Sequence, residues 1–411
     1  MTAESDAVAR RLDAGEAHAA REVVSALARH TPVLSSRSLS ERCGGRVLLK
    51  AENLQRTGSF KLRGAVHKIS RLDRPSGVVA GSAGNHGQSL AYAARAEGVP
   101  CEVFMPREAP VAKVAAVQAF GGTVHLAGDS VDECVRSARE RAAETGAGFV
   151  HPFDDPDVIL GQATLGLELL EDVPDLGAVV VPVGGGGLIS GVAGVIKAAR
   201  PSARVIGVQV DACAPFPESL KSHSPITFDA RATIADGIAI KRPGEITLPL
   251  VERWVDELVT VGEDDTAEAM VWLMERAKLV VEGAGAVGVA ALLAGALKPA
   301  AVGPTVLVLS GGNVDAGLLA QIAQRHETTA GRRVRLFTRI SDRPGGLAAL
   351  LTLIADAGGN VVHADHVREA VSLHVRETGV ELALETRSAE HGNEIVAGLE
   401  SAGYKVTRLD S

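Results

Sequence analysis

Apolar, β-branched runs alternating with helical stretches predict an α/β protein with mainly parallel sheets. Two further observations support that class. Glycine-containing turns recur where an apolar run gives way to a helical one, the place where open parallel sheets bind ligands. The C-terminal part then changes to a strand-helix-strand-strand-helix-strand order, which predicts a small additional domain.

In chain order the expected strands are residues 47–51, 77–81, 101–105, 123–126, 178–183, 205–210 and 305–309. Each is short and rich in aliphatic side chains, as strands covered on both faces are. Between them, residues 62–72, 87–97, 111–120, 130–145 and 158–170 read as helices. The uncharged run 176–196 is long enough to span a bilayer. Pro182 and four consecutive glycines would ruin a lipid-facing helix, so the run is expected to divide into a strand, a glycine loop and a helix over 188–200.

A polar, basic stretch at 324–333 marks the expected division: residues 1–330 form a two-lobed α/β domain and 331–411 a second domain. In the tail, a strand at 334–340 meets the turn Asp342-Arg343-Pro344-Gly345-Gly346-Leu347, then a helix at 347–357. Strands 361–367 and 380–386 are expected to pair, followed by a helix at 391–402 and a strand at 404–409.

Bulk properties exclude several function classes. A net charge of -8 and 3% aromatic residues give neither a basic stripe nor a stacking platform for nucleic acid. Cys43, Cys101, Cys134 and Cys213 lack metal-ligand spacing, and read as reduced thiols of a cytoplasmic protein. Residues 1–22 are charged and have no apolar core of the signal-peptide kind.

The chemistry begins at Lys61, set between Phe60 and Leu62 just past a turn. Desolvation lowers an amine's pKa, and an uncharged lysine can form a Schiff base. At Gly184, Gly185, Gly186 and Gly187 the bare backbone N–H groups of a strand-to-helix turn suit a phosphate, or simply a tight packing turn. No Gly-Lys-Ser/Thr follows and the dinucleotide spacing is missing, so neither nucleotide loop is supported. Ser310 ends a strand, where its hydroxyl either faces a pocket or serves the turn. Asn85 opens a helix, ordinarily a capping position. Glu282 is the charge in the apolar run 279–297; if buried it needs a partner, and it either adjusts a ligand or caps the following helix. His86 and His151 read as structural hydrogen-bonders rather than acid/base groups.

Four segments, Ser59-Phe60-Lys61-Leu62-Arg63-Gly64-Ala65, Ser82-Ala83-Gly84-Asn85-His86-Gly87, Gly184-Gly185-Gly186-Gly187-Leu188 and Ser310-Gly311-Gly312-Asn313, together resemble the tryptophan-synthase-like (fold type II) pyridoxal-phosphate enzymes, the threonine/serine dehydratases most closely. The resemblance runs on through Glu52-Asn53-Leu54-Gln55, His151-Pro152-Phe153-Asp154-Asp155-Pro156, Ala235-Asp236-Gly237-Ile238-Ala239 and Val281-Glu282-Gly283-Ala284-Gly285-Ala286. It departs at Ala163, where glycine is usual. It implies pyridoxal 5'-phosphate joined to Lys61, its phosphate on Gly184 to Gly187 and Leu188, its pyridine nitrogen at Ser310 and its 3-oxygen at Asn85. Phe60 would pack on the ring face unless it is ordinary core. The substrate carboxylate would lie on the backbone of Ser82, Ala83, Gly84, Asn85 and His86, with Gly237 and Glu282 in the pocket.

The implied reaction turns L-threonine, and L-serine, into 2-oxobutanoate or pyruvate plus ammonia, the threonine reaction being the entry to isoleucine synthesis. A hydroxyl rather than a carboxylate at the ring nitrogen favours β-elimination over transamination. Serine racemases of this family carry a serine where Ala83 stands, and acidic metal ligands where Gln209, Cys213 and Pro215 stand; the resemblance therefore implies neither two-base racemisation nor a divalent metal. A β-replacement synthase of the same family and a non-catalytic amino-acid sensor remain as rival readings. The tail resembles an ACT domain, which implies a homo-oligomer binding isoleucine or valine near Asp342, Arg343, Gly345, Gly346 and Asn360. A ferredoxin-like tail serving only oligomerisation is the alternative.

Overall fold

The computed structural model describes residues 2–409 apart from 14, 74 and 368–375. They form two units, Met1–Asp315 and Ala316–Ser411, the second beginning with the helix Ala316–Thr329.

Two parallel sheets, one per lobe, build the first unit. The larger runs in the order Val33–Ser35, Val47–Lys50, Thr305–Val308, Ala178–Pro182, Arg204–Val210, Glu257–Val261, parallel throughout except at the first strand. The smaller runs Thr123–Leu126, Cys101–Met105, Val78–Gly81, Gly148–Phe149, all parallel. Every residue of Val78–Gly81 and Ala178–Pro182 is buried, which is why both read as unbroken apolar runs. Three strands were not anticipated. Val33–Ser35, Gly148–Phe149 and Glu257–Val261 are short or half exposed, so no long apolar run marks them.

The helices follow their local signals. Ser130 accepts a hydrogen bond from Glu133 N and starts Val131–Thr145; Asp155 accepts from Asp157 N and Val158 N and, with Pro156 at the first position, starts Pro156–Asp172. That helix packs against Gly187–Ala199, where a Cβ at Gly191 would lie 2.7 Å from Ala163 N. The glycine lets the two helix backbones approach this closely. No described helix is long and apolar enough to cross a membrane, and the run 176–196 contains the strand Ala178–Pro182 and most of the helix Gly187–Ala199.

One part of the interior is ionic. Arg63, 1% exposed, donates Nε and Nη2 to both oxygens of Glu52 at 2.8 Å, and Nη1 and Nη2 to those of Glu168 at 2.7 and 2.9 Å. Lys50, fully buried, reaches Glu168 at 2.7 Å and Asp172 at 3.0 Å. Mutual pairing makes these buried charges tolerable, and it ties the helix Lys61–Ser70 to the strand Val47–Lys50 and the helix Pro156–Asp172.

The second unit has an antiparallel sheet in the order Asn360–Val367, Glu377–Glu385, Arg333–Ser341, Thr407–Arg408. The helices Gly346–Asp356 and Ala389–Ser401 accompany it, and a core of Leu336, Leu350, Ile354, Leu382, Ile395 and Leu399 holds the unit together. Strand, helix, strand, strand, helix, strand is the order read from the sequence.

Candidate active site

A cavity of about 290 Å³ opens where strands of both sheets in the first unit reach their carboxyl ends. Phe60, Lys61, Ser82, Ala83, Gly84, Asn85, His86, Gly184, Gly185, Gly186, Gly187, Leu188, Gly237, Glu282 and Ser310 all line it. Every residue that the sequence reading placed at cofactor and substrate is thus brought to one chamber.

Lys61 is the first residue of its helix, and two contacts fix its approach: Ser59 bridges to Gly311, and Phe60 N donates to Ser310 O at 3.1 Å. Its Nζ donates to Pro152 O at 2.7 Å and lies 5.3 Å from the Phe60 ring centre. Burial pulls this amine's pKa down to about 8, against the pull of Glu282. A carbonyl is a weaker partner for an ammonium than a carboxylate, so the amine is held in place without being locked into its charged form.

Across the chamber, the N–H groups of Gly184, Gly185, Gly186 and Gly187 make no hydrogen bond to protein among the described residues. They stand at the N-terminus of Gly187–Ala199, where the helix dipole favours an anion. The turn is also tight. Gly186 has φ +94°, and a Cβ there would lie 2.8 Å from both Phe216 Cζ and Thr247 Cβ, while one at Gly187 would lie 2.7 Å from Phe153 O. The packing alternative left open by the sequence holds, and the packing leaves the glycine amides without protein partners, as a phosphate site would require. Behind the turn, Thr247 Oγ1 donates to Gly185 O at 2.6 Å, and Asp154 accepts from Glu245 N, Ile246 N and Thr247 N at 3.0–3.2 Å.

Glu282 is 5% exposed and does not cap the helix it precedes. It accepts from Asn85 Nδ2 at 2.7 Å, and Asn85 Oδ1 in turn accepts from Asn313 Nδ2, which also reaches Thr57 O. With both hydrogens of Asn313 committed, Asn85 has to present its NH₂ to the carboxylate, leaving one N–H of that group for a ligand. Burial foremost, with repulsion from Asp236, pushes the Glu282 carboxyl up to about 7; the Asn85 bond and Lys113 oppose it. His86 and His151 are both pulled down to about 3 by burial, and so are uncharged at neutral pH. His86 Nε2 lies 3.0 Å from Val150 O, and His151 Nδ1 accepts from Asp154 N at 2.8 Å, the structural roles expected of them.

Ser82 brings a refinement. Its Oγ accepts from Gly84 N at 3.1 Å and Gly87 N at 3.0 Å, so two amides of this loop are already used. The sequence reading gave no site role to three polar lining residues, Gln162, Lys113 and Asp236, although Asp236 lies in one of the segments that carry the resemblance. Gln162 is 1% exposed and its Oε1 has no partner among the described residues, while Lys113 and Asp236 form an ion pair. Gln209 is taken up by Val183 O and Phe216 N. In the second unit, Asp342, Arg343 and Gly345 share a recess with His366 and Thr378; Gly346 and Asn360 do not line it, and Asn360 Nδ2 donates to Glu385 at 2.8 Å.

The chamber fits pyridoxal phosphate in its donor set: an amine of depressed pKa for the aldehyde, free amides at a helix start for the phosphate, and a buried hydroxyl at Ser310. Comparison with known proteins agrees. Residues 24–311 match the family described as pyridoxal-phosphate dependent enzyme. The L-threonine ammonia-lyase of Thermotoga maritima is 46% identical over 380 residues, 92% of this chain and 94% of that protein. A crystal structure of the T.th. threonine deaminase superposes with a TM-score of 0.70 at 42% identity, over 73% of this chain and 98% of that one. Maize serine racemase gives a TM-score of 0.72 at 35% identity, over 77% of this chain and 98% of that one.

Proposed function

The chain belongs to the family of pyridoxal-phosphate dependent enzymes, and we infer that it works as a threonine ammonia-lyase, converting L-threonine to 2-oxobutanoate and ammonia and L-serine to pyruvate and ammonia. The observation that carries this reading is the Lys61 amine, of pKa about 8, facing the unpaired amides of Gly184 to Gly187 within one cavity.

When bound, pyridoxal phosphate supplies an aldehyde for the substrate amine and an electron-withdrawing ring that acidifies the Cα proton. The amides of Gly184 to Gly187 and Leu188 would hold its phosphate, Ser310 its ring nitrogen and the spare N–H of Asn85 its 3-oxygen, and Phe60 would cover the ring. Lys61 Nζ takes the proton from substrate Cα, for which a pKa near the working pH is the efficient choice. Loss of the β-hydroxyl and hydrolysis then yield the 2-oxo acid. The serine racemase neighbour raises the competing outcome, but the methyl group of Ala83 lines the cavity and has no proton to give to the opposite face of Cα.

The second unit is an ACT domain in this reading, supported by its strand and helix order and by the recess at Asp342, Arg343 and Gly345. Copies pair through it in a cytoplasmic homo-oligomer, isoleucine inhibits there, and valine opposes it; control by an end product suits a committed threonine-consuming step. The test is direct. The purified holoenzyme should form ammonia and 2-oxobutanoate in equal amounts from L-threonine, and little D-serine from L-serine. Absence of any 2-oxo acid product overturns the reading.

A further inference from the structure

Lys61 and Lys113 are the two cationic side chains lining the cavity among the described residues. The mechanism uses only the first. Lys113 stands on the helix Val111–Ala119, between two strands of the smaller sheet, and its ammonium pairs with Asp236, which lies between two strands of the larger one. The ion pair therefore crosses from one lobe to the other on the cavity wall. Its members are unequal: the Lys113 side chain is 16% exposed, that of Asp236 55%.

Lys113 also lies over the loop assigned to the substrate carboxylate. A carbon attached at Gly84 would lie 3.5 Å from Lys113 Cδ and 3.8 Å from Nζ. That loop has dipoles but no charge, and Ser82 Oγ already occupies its Gly84 and Gly87 amides. A free amino acid arrives with a full negative charge on its carboxylate, which a cation holds more strongly than the remaining neutral donors do. Asp236, mostly in water, gives up its partner at small cost.

We propose that Lys113 is a second anchor for the α-carboxylate of the substrate, leaving Asp236 for that carboxylate when substrate enters, so that Asp236 competes with the substrate for one ammonium. The inference rests on the amino-acid-lyase reading above. It makes the two partners opposite in effect, whereas a merely structural latch would make them alike.

The experiment compares Lys113→Met, Lys113→Arg and Asp236→Asn holoenzymes that retain the visible cofactor band. Lys113→Met should raise KM for L-threonine about tenfold, the size of a lost charge-assisted hydrogen bond, with a smaller effect on kcat. Lys113→Arg should recover most of that loss. Asp236→Asn should lower KM about two- to threefold, the scale of an exposed ion pair. Calorimetric binding of 3-hydroxybutanoate, a carboxylate without an amine, should weaken in Lys113→Met, while 1-aminopropan-2-ol, an amine without a carboxylate, should bind as before. An increase in KM in both Lys113→Met and Asp236→Asn, or unchanged 3-hydroxybutanoate binding, overturns the proposal. Lack of turnover by the unmutated enzyme would instead sink the lyase reading, and the calorimetry would still decide the role of Lys113.

Discussion

Asn85 Nδ2 and Glu282 Oε1 are 2.7 Å apart, and Asn313 fixes which end of the Asn85 carboxamide faces the acid. The bond joins the loop assigned to cofactor and carboxylate to the start of a helix buried along most of its length. It is too little to offset the burial of Glu282, whose carboxyl still rises to about 7.

The first prediction follows from that rise. Below the ordinary carboxyl range Glu282 is protonated in folded and unfolded chains alike. As pH climbs from about 4.5 towards 7, only the unfolded chain ionises at this group, so Glu282 by itself withdraws stability through that window and does not return it above, against the opposite contribution of His86 and His151, which stay neutral in the folded chain. Glu282→Gln should remove this contribution, so the stability of the variant apoenzyme relative to wild type should grow between pH 5 and pH 8 by at most about 3 kcal/mol. Urea unfolding at several pH values measures this. A variant-minus-wild-type difference that stays constant between pH 5 and pH 8 would refute the assignment.

Lys61 is the subject of the second. Lys61→Ala should abolish the visible absorption of the bound cofactor and cut turnover by about 10²–10⁴-fold or more, the usual worth of a positioned base. Borohydride reduction of the wild-type holoenzyme followed by peptide mapping should label Lys61. A label on Lys113, the other lysine of the cavity, would reverse the assignment.

Gly186→Ala combines a left-handed φ of +94° with a Cβ that would meet Phe216 and Thr247 at 2.8 Å. We expect a stability loss of about 1–3 kcal/mol. Affinity for pyridoxal phosphate should fall more than affinity for pyridoxal if the turn holds the phosphate as proposed. Fluorescence titration of the apoenzyme with each compound checks this, and equal losses for both would argue against a phosphate cradle.

Deleting residues 331–411 should leave ammonia release from L-threonine and remove any response to isoleucine and valine. The T.th. threonine deaminase chain is covered to 98% by an alignment that takes in 73% of this one. If the full-length enzyme binds neither amino acid, the tail is structural.

The sequence revealed what is buried on all sides or chemically rare. Ala178–Pro182 reads as a strand because no residue in it meets water, and four glycines in a row have few uses. Glu257–Val261 went unread because its half-exposed residues alternate poorly. In the site, Lys61 announces itself through Phe60 and Leu62 and the segments that accompany it, whereas Lys113 and Asp236 are single charges in separate apolar stretches more than a hundred residues apart, and only folding brings them together. The free Gln162 oxygen leaves no trace in the sequence, since a glutamine within a helix reads the same whether or not it has a partner.

The ionic cluster around Arg63 has a consequence for heat. The penalty for withdrawing charges from water falls as temperature rises, while apolar burial gains little more per unit area. Two cations held among Glu52, Glu168 and Asp172 thus contribute most when the rest of the interior is nearing its limit. The helix they secure is the one that begins at Lys61. On warming, the catalytic helix should be among the last segments of the first unit to loosen, so activity should be lost through other parts of the fold before its own anchoring gives way.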